Sequence, residues 1–174
     1  MSRIFGEMSQ ICWVVPEMDA AIRYWGETLG VGPWSLTRHV EVTGFECEGR
    51  PSDVDMSIAI AYSGEMQIEL IEQHNDALSL YRDVAAGPRG SQHHIGYYAK
   101  DYEARRKQVM EAGYEVGQQG AIGTIHFTYF KTPGLLGTYS ELISLDDRIE
   151  EALAGLKAAC RAWDGKELML PSFA

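Results

Sequence analysis

The chain has 174 residues, 45% apolar and 23% charged, which suits one globular domain with a substantial core and excludes a disordered chain. Its 15 Lys and Arg against 25 Asp and Glu leave a net charge of -10, a field that repels nucleic acid and anionic membrane surfaces. Cys12, Cys47 and Cys160 are odd in number and form no CxxC spacing, so they read as reduced thiols. Met1–Gln10 holds no apolar run of signal-peptide length, and no window approaches the ~18 apolar residues of a membrane span. The expectation is a soluble, cytoplasmic protein.

In chain order, Gln10–Val15 reads as a strand and Met18–Leu29 as a helix, with Ile22, Trp25 and Leu29 on one stripe and Gly30-Val-Gly-Pro33 ending it. Strands follow at Trp34–Val42, Asp55–Ser63 and Glu65–Glu72, with Ser63-Gly64 as a hairpin turn. Residues 74–90 read as a linker with room for a helical turn around Ala77–Val84. His94–Ala99 is then a strand and Tyr102–Ala112 a helix closed by Gly113. Further strands are expected near Tyr114–Gln118, Thr124–Lys131 and Gly137–Ser144, with a turn at Pro133-Gly134. From Asp146 onward the pattern is helical.

This order is a duplication. Ile11–Ala20 overlays Ile95–Ala104 without a gap, and Glu69-Leu-Ile71 is echoed by Glu141-Leu-Ile143, each near the end of a strand. The fold class is therefore α+β: two β-α-β-β-β modules, about 8–73 and 91–144, make up residues 1–145. Residues 146–174 add an amphipathic helix and tail.

Strand side chains alternate between faces. Gln10, Cys12 and Val14 share a face, as do His94, Gly96 and Tyr98; Gln67, Glu69 and Ile71; and Tyr139, Glu141 and Ile143. Gln10 matches His94 in the repeat, and Glu69 matches Glu141, so a pseudo-twofold fold draws these four toward one place. Two carboxylates, an imidazole and an amide oxygen make a ligand set for a divalent ion. Each residue alone has a plainer reading: Gln10 can start a strand, and the glutamates can face solvent on edge strands. Parity turns His93 away from His94. His126 reads as a pocket wall and Cys12 as packing. Gln67, Tyr98 and Tyr139 share faces with the four and are substrate-pocket candidates.

The segments Ser9-Gln-Ile-Cys-Trp-Val-Val-Pro16, Gln67-Ile-Glu-Leu-Ile-Glu72, His93-His-Ile-Gly96 and Phe127–Gly134, with Glu141-Leu142, resemble the vicinal oxygen chelate superfamily. Those proteins include glyoxalase I, methylmalonyl-CoA epimerase, extradiol dioxygenases and bleomycin-resistance proteins. The resemblance spans about Met8 to Ser144 and implies a glyoxalase-like half-barrel around a metal held by Gln10, Glu69, His94 and Glu141. The metal would be a divalent ion such as Zn, Mn, Co, Ni, Fe or Mg. Gln10 stands where the dioxygenases usually carry His, which disfavours iron-dependent ring cleavage. The texture is closest to the epimerase and glyoxalase I.

That resemblance implies a metal-dependent isomerase or epimerase moving a proton at a carbon next to a carbonyl of a small-molecule substrate. Glu141 or Glu69 would be the base, and a second acid carried over from the epimerase falls at Asp53. The alternatives are a glyoxalase-like lyase, a ring-cleaving dioxygenase, or a non-catalytic binding protein. In the last helix Ile149, Leu153, Leu156, Cys160 and Trp163 form an apolar stripe, expected either to cover the chain's own half-barrel or to pack in a homodimer.

Overall fold

The computed structural model describes residues 2–82, 90–131 and 137–170. The expected turn at Pro133-Gly134 and the Arg89 side of the linker, Val84 included, lie outside the described residues. The first module opens with β1 (Gln10–Val14) and α1 (Met18–Arg23). The Glu17 carboxylate caps α1 by accepting hydrogen bonds from the backbone N–H groups of Asp19 and Ala20. The helix expected to run to Leu29 instead widens into a π-helical turn over Tyr24–Thr28, which leaves Leu29 exposed while Ile22 stays buried.

The single strand expected over Trp34–Val42 is two. β2 (Ser35–Thr37) ends before a bend in which His39 adopts φ 48°, and β3 (Val42–Cys47) then begins elsewhere in the sheet. A tight turn through Glu48 and Gly49, both at positive φ, returns β3 into the short β4 (Arg50–Pro51). β5 (Met56–Ser63) and β6 (Met66–Gln73) complete the module. The second comprises β7 (Ser91–Ala99), α2 (Tyr102–Glu111), β8 (Glu115–Ile122), β9 (Ile125–Lys131) and β10 (Tyr139–Ser144).

The strands form one mixed sheet in the order β2-β5-β6-β1-β7-β10-β9-β8-β3-β4. Each module puts its first strand parallel to its last, and β1 joins β7 antiparallel at the centre, as a duplicated fold requires. β2 and β3 lie eight strand spacings apart, about 38 Å in a flat sheet at about 4.8 Å per strand. Only residues 38–41 connect them, a reach of at most about 18 Å from Thr37 to Val42. The sheet must therefore curl until its two edges approach one another, and the concave face becomes an interior.

Side-chain alternation fixes what faces that interior. Cys12, Val14, Ile71, Phe127 and Tyr129 share the inner apolar cluster. Their neighbours Ile68 and Leu70 pack outward against Met18 and Ile22 of α1, and Phe130 and Leu142 pack outward with Val109 of α2. α3 (Asp147–Ala162), capped by the Asp146 carboxylate on the N–H of Ile149, lies across β5 of its own chain. Its stripe is used there: Leu156 is buried, the Cys160 thiol accepts from the Tyr62 N–H at 3.3 Å, and the Trp163 ring covers Gly32. Beyond the helix the chain pairs with Trp34, whose N–H donates to Leu168 and whose carbonyl accepts from Leu170.

Candidate functional site

Four central strands, β6, β1, β7 and β10, carry the polar residues on the concave face. Gln10, Glu69, His94 and Glu141 are each at most 8% exposed, among apolar neighbours. Register explains the convergence, because Cys12 stands opposite both Glu69 and His94 while Gly96 stands between Gln10 and Glu141. His94 Nε2 lies 3.1 Å from Gln10 Oε1, 3.2 Å from Glu69 Oε2 and 3.0 Å from Glu141 Oε2. One ring nitrogen cannot serve three oxygens. Glu69 Oε2 and Glu141 Oε2 are both buried without a hydrogen-bond partner. Two buried carboxylates thus share one ring, and a divalent ion at their centre would pair both of them.

The residues fit one. Donors held about 2.1 Å from a divalent ion lie about 3.0 Å apart when adjacent in an octahedron and about 3.4 Å apart in a tetrahedron. The distances of the three oxygens from His94 Nε2, 3.0 to 3.2 Å, match the octahedral value.

The supporting hydrogen bonds aim the donors. Gln67 Oε1 accepts from Gln10 Nε2 at 2.7 Å and from the Tyr98 hydroxyl at 2.9 Å, while Gln67 Nε2 donates to the Tyr62 hydroxyl at 3.1 Å. Those partners fix which way both amides point, leaving Gln10 Oε1 toward His94. Gln67, expected to contact substrate, thus also orients Gln10. Gly96 makes room: a Cβ there would lie 2.8 Å from Gln10 Cβ and closer still to Gln10 Oε1. A glycine within a strand, opposite a long polar side chain, is the signal that marks such a position.

His93 departs from the expected parity. Between Cys12 and Trp13 the register slips, with Cys12 opposite His94 and Trp13 opposite Gln92, so His93 is the extra residue of a β-bulge. It is fully buried among Tyr81, Tyr129 and Tyr139, with its Nδ1 2.9 Å from His94 Nδ1. Burial, reinforced by the neighbouring His94, drives the His93 pKa well below its ordinary value, so the ring is neutral and can accept the His94 Nδ1–H. Holding the proton on His94 Nδ1 leaves Nε2 as the atom that gives up its proton when an ion binds.

Burial alone would depress the His94 pKa, but Glu141 and Glu69 together raise it to about 9. Burial pushes the Glu141 carboxyl above the usual carboxylate range, with His94 pulling the other way. Burial and then Glu69 hold the Cys12 thiol well up, so it is uncharged. Cys12 Sγ, a carboxylate oxygen of Glu69 and a ring nitrogen of His94 nonetheless lie within 4.8 Å of one another, which puts the thiol beside the site.

The remaining expected residues divide. Tyr98 lines the cavity beside the four, whereas Tyr139 packs on His93 with ring centroids 5.1 Å apart. His126 sits on the outer side with Tyr102, 6.0 Å between centroids. Asp53 is not brought to the site. It is exposed in the connection between β4 and β5, and its carbonyl accepts from Asn75 Nδ2.

The sequence profile of the Glyoxalase/Bleomycin resistance protein/Dioxygenase superfamily matches residues 9–130. No protein of curated function matches the chain. Among solved structures, methylmalonyl-CoA epimerase from Mycobacterium tuberculosis is similar with a TM-score of 0.61 at 12% identity, over 87% of this chain and 95% of that one. A hypothetical protein from Bacillus halodurans C-125 is similar with a TM-score of 0.57 at 19% identity, over 81% and 95%. A methylmalonyl-CoA epimerase in complex with methylmalonyl-CoA and NH4+ gives 0.54 at 18% identity, over 80% and 94%. At such identities the likeness speaks for the fold alone.

Proposed function

This chain belongs to the Glyoxalase/Bleomycin resistance protein/Dioxygenase superfamily, and we propose that within it the protein is a metal-dependent isomerase or epimerase. The reaction is proton transfer at a carbon next to a carbonyl. The observation that carries the reading is the approach of Gln10, Glu69 and Glu141 oxygens to within 3.0–3.2 Å of His94 Nε2, with both carboxylate oxygens otherwise unpaired. An amide, two carboxylates and one imidazole are a mostly hard donor set, suited to a divalent ion such as Mn, Mg, Co or Zn, and lack the second His of the iron oxygenase triad. Such an ion, when bound, polarises a substrate carbonyl and acidifies the carbon beside it.

The chain's own residues supply the rest. Glu141 on β10 and Glu69 on β6 reach the centre from opposite flanks of β1 and β7, so a substrate bound beside the ion has a carboxylate on either flank. Burial raises the Glu141 carboxyl above the usual carboxylate range, which makes it the stronger base. Gln67 and His93 hold Gln10 and His94 in place, so the donor set needs little rearrangement. Asp53 has no part in this reading.

The test is deuterium wash-in from heavy water, followed by proton NMR across a panel of α-hydroxy and α-oxo carbonyl compounds with Mg2+-loaded protein. Exchange at the carbon next to the carbonyl is expected for the wild type and is lost in Glu141→Gln. Exchange undiminished in both Glu141→Gln and Glu69→Gln refutes the assignment.

A further inference from the structure

Beside the polar cluster lies a cavity of about 210 Å³ whose lining is strongly divided. One end is polar: Gln10, Gln67, Glu69, Tyr98 and Glu141. The rest is mostly apolar, dominated by isoleucines of β5, β6, β8, β9 and β10 together with Ile149 and Leu153 of α3, with Thr37, Tyr81 and Tyr129 as its hydroxyl-bearing members. Residues beyond the repeated modules thus furnish a wall of the same chamber that holds the carboxylates. No Lys or Arg occurs among the described lining residues.

We infer that the substrate is a compact, uncharged carbonyl compound with a branched aliphatic or single-ring body, seated with its oxygens at the polar end and its body against Ile149 and Leu153. This rests on the metal-dependent reading above and narrows its substrate class. Three observations carry it. Volume comes first: an apolar cavity of about 150 Å³ accommodates one benzene ring, so about 210 Å³ takes a ring or branched chain with two oxygens and little more. The second is the wall, where isoleucine and leucine predominate and few hydroxyls stand, so a polar body would lose most of its water without replacement. The third is charge. Two carboxylates sit at the polar end and the whole chain carries -10, so the field opposes a polyphosphorylated carrier such as coenzyme A.

The test uses the full chain, Mg2+-loaded and metal-free, with 13C-labelled isoleucine methyl groups followed by NMR. Titration with α-hydroxyacetophenone is expected to shift the Ile60, Ile143 and Ile149 methyls saturably and at least tenfold more tightly than hydroxyacetone, whose body is a single methyl. Propionyl-coenzyme A is expected to leave those methyls unmoved. Leu153 is only partly buried, so Leu153→Arg should fold, retain hydroxyacetone binding and lose at least tenfold for the aryl ketone. Propionyl-coenzyme A shifting the isoleucines and displacing the ketone overturns the inference, as does equal affinity for the two ketones. Magnesium content is measured alongside. Isoleucine shifts in a protein that takes up no metal sink the metal reading and spare the cavity assignment. Metal uptake with silent isoleucines does the reverse.

Discussion

Replacing Gly96 by Ala isolates the close approach on which the polar cluster depends. Gly96 is not among the residues at positive φ, so alanine suits its backbone and the perturbation is one methyl group. That methyl would lie 2.8 Å from Gln10 Cβ and 3.1 Å from Gln10 Cδ, where ordinary contact begins near 3.4 Å. Because the clash reaches Cβ, rotating the end of the side chain does not relieve it, and Gln10 must move as a whole by at least about half an ångström. The 2.7 Å bond to Gln67 and the 3.1 Å approach to His94 Nε2 are then both pushed off their present geometry. Overpacking of this kind costs about 1–3 kcal/mol, and the lost hydrogen bond adds about 1 kcal/mol. Removing one oxygen donor should weaken divalent-ion affinity by about 10- to 100-fold. Thermal denaturation reads the first effect, and competition against a fluorescent chelator reads the second. The double variant Gly96→Ala/Gln10→Ala supplies the control: the clash vanishes with Gln10, so it should be no less stable than Gln10→Ala alone. Wild-type stability and ion affinity in Gly96→Ala would refute the reasoning.

Other expectations follow from the same geometry. In the metal-free protein His94 keeps its proton up to about pH 9 against about 6.5 when unfolded, so its stabilisation is complete below pH 6.5 and fades as pH rises through 9. An ion must displace that proton, so chelator competition should show affinity rising about tenfold per pH unit from 6.5 and levelling off above 9; a flat profile would contradict it. Gln67→Leu strips partners from the Gln10 amide and the Tyr98 hydroxyl together, and should cost about 2–4 kcal/mol in urea unfolding along with a weaker ion; an unchanged ion affinity would separate Gln67 from the site. Leu156→Ala, under α3, should lower stability by about 2–3 kcal/mol while leaving ion affinity within twofold.

Much of the site was legible because polar residues at even spacing inside apolar strands have few uses. Gln10, Glu69, His94 and Glu141 stood out in the repeat, and the pairing of each module's first and last strands brings them together. The residues around them were less legible, since their roles depend on register across strands. His93 faces inward only because a bulge opposite Cys12 and Trp13 breaks the alternation, which no single strand encodes. Gly96 acquires its importance from the side chain of a residue 86 positions earlier in sequence. The expected strand stopped at Val42 and left residues 43–54 unassigned, yet Val42–Cys47 pairs with β8 of the other module, a non-local choice that follows the bend at His39. Asp53 came from aligning backwards from Glu69 without a gap, and the structure leaves it exposed in the connection before β5. The apolar stripe of α3 was visible, whereas the entry of Ile149 and Leu153 into the cavity depends on where the helix crosses the barrel.

The most direct measurement of the central claim is metal stoichiometry by equilibrium dialysis and elemental analysis, on wild type, His94→Ala, Glu141→Ala and Asp53→Ala. The account predicts one divalent ion per chain in the wild type and in Asp53→Ala, with binding lost or weakened by at least 100-fold in the other two. No ion in the wild type, or full occupancy in His94→Ala and Glu141→Ala, would contradict it.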